Sequence, residues 1–243
     1  MPFIPYPQEF FALQLAFAQK MSEISQQPYH DAVLHDTALY RILGLDWSLE
    51  PNDPVWQAYL RGLSHEGRDD EWTYQFYLSR YDAIPKYDIP RWGCFSYQYL
   101  ADSRVIHMHF SNLDASGYGP LSSLRKEARV AELQAMFLHI KEKHPAAQLV
   151  KGGSWLHNRE EYKRLFPPAY GQSARADKPH LIGRGLWGQF LRHNNQLNEK
   201  VATLFSERVS QLRDVKDYAR CFPYQAMLVE APIASFYEFY GIS

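Results

Sequence analysis

Val105-Ile106-His107-Met108-His109-Phe110 opens the stretch that decides the fold. It is followed by a small-residue loop, Ser111 to Gly119, and an amphipathic run from Pro120 to about Lys143. A shorter apolar run, Gln148 to Val150, then leads into Lys151-Gly152-Gly153-Ser154-Trp155-Leu156-His157-Asn158. Apolar residues recur at Leu121, Leu124, Ala128, Ala131, Ala135 and Leu138, widened by Leu133, Phe137 and Ile140, which is the stripe of a helix lying on a sheet. Strand, crossover helix and strand make a βαβ unit, with its two strands expected as parallel neighbours. Alternation sends Ile106, Met108 and Phe110 to one face and Val105, His107 and His109 to the other. Just upstream, Trp92 to Leu100 reads as a strand joined to this one by the turn Ala101-Asp102-Ser103.

Outward from this unit the pattern changes. Phe10, Leu13, Phe17, Met21 and Ile24 mark one face of a helix over Gln8 to Ser25. Further helices are expected over Ala32 to Leu43, from the Asp53 cap with Pro54 to about Leu63, and over Asp70 to Tyr81. Ile84 to Pro90, with two prolines, reads as an extended connection. Beyond the βαβ unit come a short helix over Arg159 to Leu165, an exposed loop over Tyr170 to Lys178 and a long apolar-faced helix over Leu186 to Arg213. A strand over Tyr224 to Glu230 and a last helical turn or two over Ile233 to Tyr240 complete the chain. The expected class is α+β: a mixed central sheet containing the βαβ unit, an N-terminal helical layer and a long C-terminal helix. Residues 1–90 read as the mainly helical region and 91–243 as the α+β core.

Composition excludes several classes. A chain of 243 residues, 46% apolar and 15% aromatic, buries a full core without a staple. Its 26 basic and 27 acidic residues are mixed along the chain and leave no footprint for nucleic acid or an anionic membrane. Cys94 and Cys221 are too far apart for a zinc knuckle and read as reduced, packed thiols. The apolar N-terminus lacks a basic leader and is interrupted by Pro5, Pro7, Glu9 and Gln14, so a soluble, cytoplasmic protein is expected.

Ligands of open α/β sheets bind beyond the carboxyl ends of the strands. Both strands of the βαβ unit end in glycine-containing segments. With Pro120 at the first helical position, Gly119 reads as the N-cap, leaving the amides of Leu121 and Ser122 to hold an anion. Lys151, Gly152, Gly153 and Ser154, with Asn158 as a cap, read as a second such loop. The plainer reading has both as tight turns, with Trp155 a core plug. Two helix starts facing one crevice point to a small anionic ligand.

Gly117-Tyr118-Gly119-Pro120-Leu121 between a strand and a long helix resembles the acyl-CoA pyrophosphate loop of GNAT-type N-acetyltransferases. The C-terminal Met227 to Ile242, with Phe236-Tyr237-Glu238-Phe239-Tyr240-Gly241-Ile242, is similar to the strand and helix that close that fold. The resemblance implies acetyl-CoA as cofactor, held by the amides of Gly117, Tyr118, Gly119 and Leu121, and Tyr237 as the acid for the departing thiolate. Tyr162, four residues after Asn158, competes for that role. Glu230 and His109 are the candidates for the base. Asp114 stands where the family has Arg or Gln.

Two other classes stay open. His107 and His109 direct both imidazoles to one face, a geometry for a divalent metal, with Asp114, His157 or His180 as third ligand. Ser154 lacks the elbow of a serine hydrolase, and neither cysteine is marked as a thiolate nucleophile, Cys94 standing in a strand beside Trp92 and Phe95 where burial is expected. The 17 tyrosines and six tryptophans also admit a non-catalytic interaction protein, with its oligomeric state left open.

Overall fold

The structure is a computed structural model and describes residues 4–63, 67–84, 89–114, 116–178 and 180–243. In chain order the helices and strands are α1 Gln8–Ser25, α2 Tyr29–His35, α3 Leu39–Ile42, α4 Pro54–Leu60, α5 Asp69–Arg80, β1 Phe95–Leu100, β2 Val105–Phe110, α6 Lys126–Lys143, β3 Leu149–Ser154, α7 Glu160–Lys163, α8 Pro168–Gln172, β4 Arg175–Ala176, α9 Arg184–Trp187, α10 Glu199–Gln211, β5 Met227–Pro232 and α11 Ile233–Phe239. The chain is α+β, as its periodicities require. Positions 85–88, within the expected extended connection, lie outside the described residues.

Two compact units form. One comprises residues 2–86 and 179–223, the other residues 87–178 and 224–243. Residues 179–223, which the sequence groups with the sheet, belong with the N-terminal helices, and aromatic burial is the cause. Phe17 of α1 lies 5.9 Å from the Trp187 ring, 5.6 Å from Phe205 and 5.7 Å from Phe222. The apolar run expected as one helix from Leu186 divides. Gly188 starts a 3-10 turn, Asn195 takes a positive φ of 58°, and the long helix of this region is α10. The polar run Arg192 to Gln196 supplies turn formers where a helix needs its apolar stripe. In the same unit the Asp53 carboxylate caps α4, accepting from the Val55 and Trp56 amides at 2.8 and 3.1 Å, as its place before Pro54 predicts.

The second unit is built on a sheet of order β1-β2-β3-β5-β4. β2 and β3 are parallel, joined through α6, and every other pairing is antiparallel. One face is the core: Phe95, Ile106, Met108, Val150, Val229 and Ala231 pack with Leu133, Met136, Phe137 and Ile140 of α6, Tyr162 of α7, Tyr170 of α8 and Phe236 of α11. The other face carries a polar row that follows the register, Gln98, His107, Lys151 and Glu230. A mixed sheet with one packed and one polar face explains why the strands alternate rather than read as continuous apolar runs.

Candidate functional site

The parallel ladder between β2 and β3 stops before its strands do. Its last register pair is Met108 with Gly152, two residues short of the end of both strands. The Ser111 amide donates to the Cys94 carbonyl at 2.8 Å, so alternate residues of β2 bond to β1 and Phe110 turns its peptide groups toward β3. The Ile233 amide donates to the Gln148 carbonyl at 2.9 Å, which by the same alternation turns Gly153 toward β2. Phe110 and Gly153 therefore border a notch at the carboxyl end of the central strands. This is the place where ligands of such sheets bind.

Beneath the notch, on the core face, lie two buried polar side chains. Tyr170 is fully buried, and its Oη has no hydrogen-bond partner among the described residues. That oxygen lies 2.3 Å from where a Cβ on Gly152 would stand, so glycine here makes room for a hydroxyl. His157 is 5% exposed, its Nδ1 is likewise without a partner, and its ring centre is 5.6 Å from that of Tyr170. Burial, reinforced by Lys163, pushes the His157 pKa down to about 4, so the imidazole is neutral at pH 7. Burial raises the tyrosine phenols, Tyr170 and Tyr162 alike, and keeps them protonated. The sequence places Tyr170 in an exposed loop; the signal for α8 is Pro168 at a first helical position, which marks a helix start.

The glycine segments differ from their expected form. α6 begins at Lys126, after a 3-10 turn over Ser123–Arg125, and not at Pro120. The Ser122 amide donates to the Gly119 carbonyl at 2.9 Å, so it is not free to hold an anion as Gly119 capping would require. Asp114 is the reason the loop closes differently. Its carboxylate accepts from Arg125 Nε at 2.7 Å, from Arg129 Nη1 at 2.8 Å and from the Ser116 amide at 2.8 Å. Burial alone would raise the Asp114 pKa, but Ser116, Arg125 and Arg129 together hold it well below the usual carboxylate range. It is thus a structural anion and is not available as a third metal ligand. Gly117, with φ of 80°, Tyr118 and Gly119 stay on the surface of this loop, and Leu121 packs on the core.

Arg129 also reaches Cys94 Sγ at 2.8 Å, so this cysteine has a basic neighbour in space that it lacks in sequence. Burial still raises its pKa, and the thiol stays protonated. The Glu132 carboxylate joins the group, pairing with Arg129 and accepting from the Cys94 amide at 3.1 Å. A Cβ on Gly93, at φ of 56°, would stand 2.0 Å from that carboxylate. Gly93→Ala is expected to lower the free energy of unfolding by about 2 kcal/mol, from left-handed strain and the displaced ion pair. Urea denaturation measures it, and a change under about 0.5 kcal/mol, the level of an ordinary surface substitution, would contradict the expectation.

Lys151, Gly152, Gly153 and Ser154 are strand residues, not a loop, because β5 pairs with them as far as Ser154 and Met227. Ser154 Oγ accepts from the Leu156 amide at 3.1 Å, which caps a 3-10 turn over Trp155–Asn158. Asn158 does not cap α7, whose N-cap is Arg159; its Nδ2 donates to the carbonyls of Trp155 and Gln225 at 2.7 and 2.8 Å. The second helix start is therefore not an anion cradle. The two segments after β2 and β3 do share one end of the sheet, where Arg164 Nη2 donates to the Leu121 carbonyl at 3.0 Å.

The other candidates separate by face and by end. His109 and His107 lie on the polar face with ring centres 4.9 Å apart, and burial lowers both pKa values, helped by Lys151 for His107 and by His107 and Arg91 for His109. Glu230 shares that face and pairs with Lys151 at 3.3 Å and Arg175 at 3.6 Å. Among the described residues no group of three His, Cys, Asp or Glu side chains is placed to hold a metal. His157 is on the core face, and His180 belongs to the other unit. Tyr237 is at the far end: β5 runs antiparallel to β3, so α11 starts beside Leu149, opposite the notch, and Lys141 Nζ stands 5.2 Å from the Tyr237 ring.

No protein-family model, curated protein or solved structure matches the chain. Among the described residues no helix is long and apolar enough to cross a membrane. What defines the protein is its own geometry: an α+β unit with one polar sheet face and a parallel ladder that ends over two buried polar atoms, Tyr170 Oη and His157 Nδ1, without a hydrogen-bond partner among the described residues.

Proposed function

We propose that the sheet-bearing unit is a small-molecule acyltransferase of GNAT-like type that takes acetyl-CoA in the notch between β2 and β3. The parted ladder is the observation that carries this reading. The arm of an acyl-CoA is extended and bears two amides, so it suits strand edges whose own partners have ended, in the manner of a peptide added to a sheet. The Gly152-Gly153 pair supports the same reading, because a strand edge without side chains admits close approach of a ligand. Arg125 and Arg164 lie at the same end of the sheet to meet its phosphates.

In acyl transfer the acceptor nitrogen attacks the thioester carbonyl, loses a proton to a base, and the thiolate leaves with a proton from an acid. The hydroxyl beside the notch is that of Tyr170, so it replaces Tyr237 as the acid in this reading. His109, the first residue beyond the last ladder pair, is the base; its lowered pKa leaves it neutral and able to accept a proton at pH 7. Glu230, held between two cations, is the weaker candidate.

The test is the thermal unfolding midpoint with acetyl-CoA, free CoA and ATP. At about a hundred times its dissociation constant a ligand adds about 2.7 kcal/mol of stability. CoA species are expected to raise the midpoint where ATP does not. Gly119→Asp, at a position with open space for a side chain, is expected to remove the shift without unfolding the protein. Tyr170→Phe is expected to keep the shift and lose turnover. No shift at saturating acetyl-CoA would sink the reading, and a shift with no turnover toward any amine would leave a binding protein. Stoichiometric metal after chelator-free purification, lost on His107→Ala, would favour the His107 and His109 metal reading instead.

A further inference from the structure

We propose that Arg41 and Trp47, in the unit of residues 2–86 and 179–223, form a binding site for a small aromatic carboxylate. The carboxylate takes the Nε and Nη2 hydrogens of the Arg41 guanidinium, and the aromatic body lies against the Trp47 ring. The site is independent of the acyl-CoA reading.

Arginine is rarely buried without a counter-charge, because taking its charge out of water is costly. Arg41, in α3, is 6% exposed, and among the described residues no carboxylate forms an ion pair with it. Asp46 senses its charge, but that carboxylate is turned to Ser48, accepting from its amide at 2.8 Å and from its hydroxyl. Arg80 adds a second cation beside the same turn, where its Nε donates to the Leu43 carbonyl at 3.5 Å.

The end of α3 accounts for one donor of Arg41 and no more. Gly44, with φ of 90°, and Leu45 close the helix, their amides donating to the Arg41 and Tyr40 carbonyls at 3.2 Å. That closure fixes the Leu45 carbonyl, which accepts from Arg41 Nη1. The other edge of the guanidinium, Nε with Nη2, is the fork by which arginine takes a carboxylate through two parallel bonds. Neither nitrogen has a hydrogen-bond partner among the described residues. Nε is enclosed and Nη2 is not, so the fork meets solvent through Nη2. A partnerless fork on a buried, fixed cation is preorganised for an oxyanion.

Trp47 selects what carries the oxyanion. The guanidinium carbon stands 4.4 Å over its ring, and the residue is 63% exposed. An indole left to water beside a cation gives a planar ligand an apolar flank. Inorganic phosphate would meet the cation and leave that flank unused.

The experiment titrates the full chain at constant ionic strength with benzoate, benzamide, acetate and inorganic phosphate, reading calorimetric binding and the unfolding midpoint. Benzoate is expected to bind and to raise the midpoint, with benzamide, its neutral counterpart, at least about tenfold weaker. Arg41→Lys keeps the charge and loses the fork, and should weaken benzoate at least about tenfold. Trp47→Ala, at an exposed position, should fold and bind benzoate no better than acetate. Undiminished binding by Arg41→Lys, equal binding of benzoate and benzamide, or no response to benzoate would overturn the proposal. Phosphate binding as tightly as benzoate and unchanged by Trp47→Ala would overturn it too, leaving an unselective anion contact. If Arg41→Lys does not fold, Trp47→Ala and the benzamide comparison decide.

Discussion

Gly152→Ala should lower the free energy of unfolding by about 3 kcal/mol, and Tyr170→Phe in the same chain should return most of it. The added methyl would stand 2.3 Å from Tyr170 Oη, far inside contact distance. Tyr170 cannot swing away, because its ring is enclosed by Phe166, His157 and Phe236 at centroid distances of 5.4, 5.6 and 5.0 Å. Removing only the hydroxyl leaves ring carbon Cζ as the nearest atom, at 3.5 Å, which is ordinary contact. Tyr170→Phe alone should be neutral or stabilising by up to about 1 kcal/mol, because it deletes a buried hydroxyl that has no partner among the described residues. Denaturant unfolding of the two single variants and the double variant measures the coupling. Additive losses would mean that Gly152 is required for some reason other than the Tyr170 hydroxyl. Retained stability with lost turnover in Tyr170→Phe is what separates a chemical role from a packing one.

Between pH 6.5 and pH 4 the protein should lose about 3 kcal/mol of stability through His157 alone. The imidazole is neutral in the folded protein down to about pH 4, whereas in the unfolded chain it takes up a proton near pH 6.5. Above pH 6.5 both states are neutral and the group contributes no pH dependence. As pH falls below 6.5 the unfolded state binds the proton first, so unfolding becomes easier until the folded state also protonates. A gap of about 2.5 units at about 1.4 kcal/mol per unit sets the size of the effect. His107, His109 and His144 are shifted in the same direction and add to the slope. The difference between wild type and His157→Phe therefore isolates this residue, with urea midpoints across that range as the measurement. Parallel curves for the two proteins would show that His157 is not held neutral.

Helix α1 was legible to the residue, because an apolar stripe at three- and four-residue steps is a local property of the sequence. The hairpin, the Asp53-Pro54 start of α4 and the presence of the crossover helix were legible from the same kind of local signal, but the face of that helix was not: Leu124, Ala131, Ala135 and Leu138 of the expected stripe are exposed, and Arg129, Leu133, Met136, Phe137 and Ile140 turn to the core. Glycine misled where it stood in a strand. Gly152 and Gly153 carry loop composition, and they are extended because β5 pairs with them and Tyr170 requires the space. The start of α6 was misread for a related reason: Pro120 is a sound local signal, but the Asp114 ion pairs hold the loop in another path.

By itself the sequence determined the α+β class and the parallel βαβ pair at the centre of the sheet. These follow from hydrophobic period and turn chemistry, which act over a few residues. Only the tertiary structure decided that residues 179–223 pack with the N-terminal helices, that Tyr237 stands opposite the notch and that Tyr170 and His157 lie beneath it. Those outcomes depend on strand order and on which buried aromatic rings meet across more than a hundred residues of chain. Neither quantity has a local signature, because the contacts that set them join residues distant in sequence.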